Sequence, residues 1–132
     1  MTESGLIKKL RIQPGQRMVI LNPPQGYFEE LGPLPPNVQL AEKLDGTFDF
    51  IQWFVMQRAE LENDFQMIQK AIKYDALLWI CYPKQSSKLG SDLNRDIIWA
   101  IVSKTGLEGV TLVSLNSVWS AMRFRPADRV GR

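Results

Sequence analysis

The segment of this sequence best placed to do chemistry is a short loop that follows a predicted strand. Residues 18–21 form a continuous apolar run that leads directly into a segment containing proline and glycine, residues 22–27. In a nucleotide-binding α/β domain the ligand loop follows the first buried strand in the same way. The candidate cofactor contacts in this loop are Asn22, Gln25, Gly26 and Tyr27.

The composition of this loop also supports a rigid structural turn. A dinucleotide or S-adenosylmethionine loop needs several glycines, so that the backbone can approach the ligand closely. Here Pro23 and Pro24 stand beside a single glycine, and proline has no N–H to donate to a phosphate or a carboxylate. Glu42 ends the next predicted strand, where a ribose-binding acid is expected, although a lone surface glutamate would also explain it.

A second candidate site follows the fourth predicted strand, residues 76–82. Ligands of open α/β sheets bind beyond the carboxyl ends of the strands, and the N-terminus of a following helix favours anions. The predicted anion-binding residues are Lys84, Ser86, Ser87 and Lys88. A flexible, solvated loop explains them equally well, and their spacing does not match the P-loop pattern.

Two carboxylates one helical turn apart, Asp92 and Asp96, flank Arg95 in the third candidate site. Paired carboxylates can perform acid–base catalysis, but a capped helix start with local ion pairs is the structural alternative, which we favour. The chain has no histidine, and its one cysteine, Cys81, lies in an apolar run typical of a small buried hydrophobe. We therefore predict no catalytic residue and no metal site.

Length and composition indicate one globular domain over residues 1–132, with an N-terminal helix within 1–13 and a basic tail at 126–132. The single cysteine allows no intrachain disulfide, and residues 1–5 contain no apolar signal core, which together predict a cytoplasmic protein. The sequence contains no run of about 18 apolar residues, so we predict no membrane span. The formal charge of +2 argues against a dedicated nucleic-acid partner.

The charges are unevenly distributed along the chain. Residues 29–64 contain eight acids against two bases, whereas residues 123–132 contain four arginines against one acid. One interpretation is a set of solvated faces with a loose basic tail. The other is an acidic face on one subunit that meets the basic tail of a second subunit.

Hydrophobic periodicity predicts helices and strands that alternate along the chain. Helices are predicted over 2–10, 27–31, 58–73 and from 91 or 92 to 104, and strands over 16–21, 38–41, 48–55, 76–82, 110–115 and 119–124. This order implies a three-layer α/β sandwich with a Rossmann-like, mostly parallel sheet and an antiparallel C-terminal edge. The last helix is apolar on two sides, so we predict a homodimer with Trp99 at its interface.

Two segments resemble class I S-adenosylmethionine-dependent methyltransferases. Residues 46–51 (Gly-Thr-Phe-Asp-Phe-Ile) are similar to the strand after the cofactor region, and residues 61–80 to the helix, turn and strand that follow. Their usual Pro-Gly-Gly turn is replaced here by Tyr74-Asp75-Ala76. The resemblance implies a truncated form of that fold.

Nearly the whole chain also resembles a small family of uncharacterised bacterial proteins. The shared patterns include Asn-Pro-Pro-Gln-Gly-Tyr at 22–27, Tyr-Pro-Lys-Gln-Ser-Ser at 82–87 and Asp-Leu-Asn-Arg-Asp at 92–96. The resemblance implies a bacterial, cytoplasmic origin and carries no activity with it.

The sequence leaves two functional hypotheses. The first is a non-catalytic module that binds a partner or a small anionic ligand. The second is a small enzyme or ligand binder that uses S-adenosylmethionine or another nucleotide-type cofactor, held by the loop at 22–27 and by Glu42. An open cleft above the sheet would favour the second hypothesis, and a cleft filled by Tyr27 or Phe28 would argue against it.

Overall fold

The computed structural model of the chain describes residues 5–87 and 89–130. The predicted positions 2–4, Lys88 and Arg132 lie outside the described residues. Helices and strands alternate as predicted. In chain order the elements are α1 (Gly5–Leu10), β1 (Arg17–Leu21), α2 (Tyr27–Leu31), β2 (Gln39–Ala41), β3 (Phe48–Phe54), α3 (Arg58–Ala71), β4 (Ile72–Pro83), α4 (Arg95–Ser103), β5 (Leu107–Ser114), β6 (Trp119–Pro126) and a 3-10 turn (Ala127–Arg129).

The strands form one six-stranded sheet in the order β2-β1-β3-β4-β6-β5. Strands β2, β1, β3 and β4 are mutually parallel, and β6 is antiparallel to both β4 and β5. The apolar runs of β1, β3 and β4 are largely buried on both faces, as parallel strands covered by helices are. The predicted mostly parallel sheet with an antiparallel C-terminal edge is confirmed.

Each face of the sheet has its own hydrophobic core. On one face α1 and α2 pack over the sheet, where Leu10, Tyr27 and Trp79 belong to one buried cluster. The Trp79 indole Nε1 donates a hydrogen bond of 3.0 Å to the Leu10 carbonyl oxygen, which ties α1 to β4. On the other face α3 and α4 bury side chains such as Phe65 and Ile98. The result is the predicted three-layer sandwich.

The junction between α3 and β4 differs from the prediction. The helix ends at Ala71 and the strand begins at Ile72, rather than at 73 and 76. The predicted turn survives as an irregularity inside β4, where Asp75 has a φ of 58°. Around it, Phe48 pairs with Ile72 and Phe50 with Leu77. Periodicity missed this strand start because Ile72 continues the apolar face of the helix.

The start of α4 also differs. We predicted Ser91 or Asp92 as its cap, but the helix begins at Arg95, and the Asn94 side chain accepts a hydrogen bond of 2.9 Å from the Ile97 N–H. The Ser91 hydroxyl and the Asp92 carboxylate are used elsewhere, at the start of α3.

Within the described residues, the C-terminal segment packs against the rest of the chain and is not the loose tail of the first interpretation. The Ala127 N–H donates to the Gly106 carbonyl oxygen over 2.9 Å, and Arg129 lies 3.4 Å from the Asp75 carboxylate. None of the helices in the part of the chain that the structure describes is long and apolar enough to cross a membrane.

Candidate functional site

The candidate site lies at the carboxyl edge of the parallel strands, where the loops after β1, β2, β3 and β4 meet. Open α/β sheets bind ligands at this edge, in the crevice outside the carboxyl ends of the strands where the strand order reverses. The predicted residues fall into three groups around it: the loop after β1, Glu42 after β2, and the loop after β4.

The loop after β1 is a tight turn that starts α2. Asn22 and Gly26 both have left-handed backbone conformations, with φ of 55° and 82°. The Tyr27 N–H donates to the Pro24 carbonyl oxygen over 3.1 Å, so this amide is used inside the turn. The Asn22 side-chain Nδ2 lies 3.4 Å from Glu60 Oε2, which links the loop after β1 to the first turn of α3.

Gly26 is required by its backbone conformation rather than by a close approach of another group. A Cβ atom built on it would meet no other atom within 4 Å. With Pro23 and Pro24 lacking N–H groups and the Tyr27 amide bonded, the loop offers few donors for an anion. The loop therefore has the geometry of a tight turn, and its role in ligand binding stays a prediction.

Tyr27 points into the core under α2. Its side chain is 2% exposed, its ring packs edge-on against Phe54 at 4.9 Å, and its hydroxyl accepts a hydrogen bond of 2.7 Å from Gln52 Nε2. Burial raises the pKa of Tyr27 well above its ordinary value. This hydroxyl is thus neutral and committed to a structural hydrogen bond.

Gln52 is a buried polar residue to which the sequence analysis gave no role. It is fully buried in β3, its Nε2 lies 3.5 Å from Cys81 Sγ, and its Oε1 has no hydrogen-bond partner among the described residues. The sequence feature that could have revealed this buried polar residue is a glutamine within the aromatic run of 48–54. Burial raises the pKa of Cys81 to about 12, so the thiol stays protonated at neutral pH, consistent with the small buried hydrophobe we predicted.

A surface cavity of about 430 Å³ lies beside Glu42; we call it the β1–β2 cavity. Its lining residues come from the end of β1, the following loop and helix, and β2: Ile20, Pro23, Phe28, Leu40, Ala41 and Glu42. Phe28 is 44% exposed and Leu40 41%, so both line the opening and neither fills it. A cavity is thus open to solvent on the β1–β2 side, whereas Tyr27, the other residue on which the second hypothesis depends, is buried under α2.

The predicted cofactor residues are divided between two cavities. Glu42 lines the β1–β2 cavity, whereas Gln25, Gly26 and Tyr27 line a separate cavity of about 280 Å³ together with residues 116–119. Asn22 is not among the residues that line either of these two. Glu30 also lines the second cavity, where its carboxylate accepts a hydrogen bond of 2.9 Å from Asn116 Nδ2.

The predicted anion site is partly occupied by its own internal bonds. Lys84 Nζ donates to Ser114 Oγ over 2.7 Å, and the Ser87 hydroxyl donates to the Lys84 carbonyl oxygen over 2.7 Å. Ser86 is exposed. Arg95, which we had not assigned to this site, joins Lys84 in lining a cavity of about 350 Å³ under the start of α4.

Asp92 and Asp96 do not form a catalytic pair. Asp92 Oδ1 accepts a hydrogen bond of 2.6 Å from the Arg58 N–H and so caps α3, not the helix that it precedes. Asp96 has a side chain that is 88% exposed, with Arg95 at 3.6 Å. The favoured interpretation, a cap with a local ion pair, describes both residues, although the capped helix is a different one. No group of three or more metal-ligating side chains could hold a metal ion within the described ranges.

Trp99 lies on the outer side of α4 and is 42% exposed. Its ring covers Gly109 of β5, where a Cβ atom would lie 3.1 Å from the indole. Ile98 and Val102 make the buried side of this helix, while Ile97 and Ile101 are partly buried. The two apolar sides are thus explained within one chain, and the homodimer stays a prediction.

Structural comparison places the chain among methyltransferases in fold. The SAM-dependent methyltransferase from Aquifex aeolicus aligns with a TM-score of 0.62 and 12% identity, over 90% of this chain and 86% of that chain. The N-methyltransferase NodS from Bradyrhizobium japonicum WM9, solved with S-adenosyl-L-homocysteine, gives 0.62 and 13%, over 92% and 83%. The 1,6-didemethyltoxoflavin-N1-methyltransferase from Burkholderia thailandensis gives 0.58 and 13%, over 92% and 74%.

These similarities show the fold. The chain has a truncated class I methyltransferase-like architecture, Rossmann-like in its sheet and layers. No model of a known protein family matches the chain, and neither does any curated protein.

Proposed function

We propose that this protein binds a nucleoside-type ligand, with S-adenosylmethionine as the first candidate, in the β1–β2 cavity. The observation that carries the proposal is the open cavity beside Glu42 at the carboxyl edge of a methyltransferase-like sheet. Two of the similar structures are described as complexes with S-adenosylhomocysteine, which supports the choice of ligand.

The lining of the β1–β2 cavity fits the adenosine part of such a ligand. Ile20, Phe28 and Leu40 provide apolar walls for a flat base. The Glu42 carboxylate can accept hydrogen bonds from both hydroxyl groups of a ribose, the role that an acid plays about 20 residues after a dinucleotide loop. The volume lies within the range of small-molecule sites, about 300–1,000 Å³.

The amino-acid part of S-adenosylmethionine finds fewer hydrogen-bond donors beside this cavity. Its carboxylate needs N–H donors, and Pro23 and Pro24 provide none. The Tyr27 hydroxyl and the Cys81 thiol are buried and engaged, so neither is available as a base or nucleophile. We therefore propose ligand binding and assign no residue of this site to methyl transfer.

Calorimetric titration with S-adenosylmethionine, S-adenosylhomocysteine and ATP, each alone, tests the proposal. We expect one-to-one binding of the two adenosyl compounds. Glu42→Ala should weaken it at least tenfold, because charged hydrogen bonds contribute about 1.5–3 kcal/mol and about 1.4 kcal/mol is tenfold. Glu62→Ala, which removes an exposed acid of α3, is the matched control and should bind normally.

A second candidate is an interaction protein that uses the same scaffold without a nucleotide. The rigid proline turn favours it, as do the exposed Phe28 and Leu40 beside β2, the short strand at one end of the sheet. Absence of heat with all three compounds, from protein shown to be folded, would exclude the nucleoside proposal and leave this one.

A further inference from the structure

Arg123 is a half-buried cation that forms no ion pair with any other described residue. It lies in β6 opposite Trp79 of β4, so its side chain is on the face that α1 covers. Its Nε is buried and has no hydrogen-bond partner among the described residues. An unpaired charged donor in such a place is costly, and proteins usually provide a partner for it.

The groups around Arg123 make its position less favourable still. Arg11, which follows the end of α1, and Arg125, two residues along β6, both repel its charge. Burial, followed by these two arginines, lowers the pKa of Arg123. Asp75 is the acid that offsets the repulsion, and it is committed elsewhere.

The commitment of Asp75 is shown by its geometry. Arg125 binds both of its carboxylate oxygens, with Nε to Oδ1 and Nη2 to Oδ2 each at 2.8 Å. Arg129 adds a third contact at 3.4 Å. None of the ion pairs between described residues includes Arg11 or Arg123. Arg11 follows Leu10, whose carbonyl oxygen binds the Trp79 indole, and Trp79 lies opposite Arg123 in the sheet. Both arginines therefore belong to the same face of the sheet, and neither has an ion-pair partner among the described residues.

We propose that Arg11 and Arg123 form a binding site for a compact phosphate-type dianion, on the α1 face of the sheet. Two guanidinium groups on one face match the charge of a phosphate monoester, and the planar fork of arginine matches its oxygens in pairs. Arg11 is exposed and can meet the ligand from solvent, and the Arg123 Nε is a donor that has no acceptor among the described residues.

A compact anion fits this site better than a nucleic acid does. The formal charge of the whole chain is only +2. The Asp75 carboxylate contacts Arg129, and the Asp128 carboxylate accepts a hydrogen bond from the Tyr74 hydroxyl. Glu108 lies opposite Arg125 in the register of β5 and β6. A long polyanion would meet these acids, whereas a single phosphate would contact the arginine pair alone.

Calorimetric titration with inorganic phosphate and with glycerol 3-phosphate, at constant ionic strength, tests the site. We expect saturable one-to-one binding. Arg123→Met should weaken it at least tenfold, Arg11→Gln should weaken it severalfold, and Arg123→Lys should fall between wild type and Arg123→Met. Arg58→Gln removes an exposed arginine of α3 on the opposite face and should bind as wild type does.

Thermal unfolding gives a second, independent readout. Without phosphate, Arg123→Met should unfold at a higher temperature than wild type, because an unneutralised charge is replaced by an apolar side chain. With phosphate, wild type should gain stability and the variant should gain less, beyond the general effect of phosphate on both. These measurements require only that the variants fold.

Three results would overturn the proposal. One is no saturable binding of either phosphate compound by wild type at millimolar concentration. Another is equal binding by wild type and Arg123→Met. The third is tight, steeply salt-dependent binding of a single-stranded 12-mer oligonucleotide that depends on the same arginines while phosphate does not bind, which would assign the surface to nucleic acid.

Discussion

The two ends of the parallel strands use their polar side chains differently. At the carboxyl edge most of the polar groups that the sequence offers bind one another across loops. The ties are Asn22 with Glu60, the Arg58 N–H with Asp92, Lys84 with Ser114, and Asn116 with Glu30. Toward the amino edge Asp49 and Asp75 each bind two partners, yet Arg123, which lies opposite Trp79 in the middle of the sheet, has no acceptor for its Nε among the described residues.

This difference shows that position at the ligand-binding edge does not make a side chain available to a ligand. Availability depends on the hydrogen bonds that a group already makes. Glu42 is exposed and makes no hydrogen bond recorded between described residues, whereas Tyr27 and Ser87 are internally bonded. The functional proposals therefore rest on Glu42 at the carboxyl edge and on Arg11 and Arg123 on the α1 face of the sheet.

The largest expected effect is at Tyr27, which anchors the carboxyl-edge helix α2. Tyr27→Ala should lower the free energy of unfolding by about 3–5 kcal/mol, the usual cost of deleting a buried aromatic ring. Urea denaturation measures it, and Phe28→Ala, which removes the neighbouring exposed ring, is the control with a much smaller cost. A similar loss in both variants would mean that α2 is not anchored through Tyr27.

Asp75→Asn should have the next largest effect, at the amino edge. The hydrogen bonds from Arg125 are the main reason why the pKa of Asp75 is lowered. Since the folded-state pKa is below the unfolded-state value of about 3.9, the stabilisation is complete above that value and is lost as pH falls through the folded-state pKa. We expect Tm to fall by about 3 °C at pH 7 in the variant.

Tm measured from pH 7 to pH 2 checks this assignment. The difference between wild type and Asp75→Asn should shrink as the pH falls through the folded-state pKa. Asp96→Asn, an exposed acid, should follow wild type throughout. A constant difference at all pH values would contradict the assigned role of the Asp75 carboxylate.

Asp92→Ala tests whether this acid at the carboxyl edge stabilises the fold by capping α3. Loss of the hydrogen bond to the Arg58 N–H should cost about 1 kcal/mol of unfolding free energy, as the loss of a helix cap does. Asp96→Ala should cost nothing measurable. If Asp96→Ala costs as much as Asp92→Ala, the capping role is wrong.

The smallest expected effect on folding is at Trp99, whose variant tests the predicted homodimer. Trp99→Ala should lower the sedimentation-derived mass at micromolar concentration from dimer to monomer, while unfolding changes little because the ring is 42% exposed. A monomeric wild-type protein, or an unchanged mass in the variant, would count against the dimer.

The sequence predicted the helices and strands that a short stretch of hydrophobic pattern defines. The apolar runs of β1, β3 and β4 and the 3.6-residue pattern of α3 indicated the sheet, its mostly parallel order and its covering helices. The resemblance to methyltransferases indicated the same fold. Boundaries failed where an apolar residue suited both elements, as Ile72 does between α3 and β4.

The site was harder to predict because its properties depend on contacts distant in sequence. Asp92 caps a helix that begins 34 residues earlier, and Lys84 bonds to Ser114, 30 residues later. The unpaired Nε of Arg123 follows from its register against Trp79, which no local pattern reveals. Glu42, by contrast, was proposed from the sequence because an acid after the second strand can bind a ribose in this class of sheet, and its role stays a prediction.

The most direct test of the central claim is a map of where S-adenosylhomocysteine binds. Backbone amide shifts of the ¹⁵N-labelled protein should change most at Ile20, Phe28, Leu40 and Glu42, around the β1–β2 cavity, and hardly at all near Arg95 or Arg123. Glu42→Ala should reduce these shifts at equal ligand concentration. Shifts centred on the Lys84 and Arg95 cavity, or none at millimolar ligand, would contradict the account.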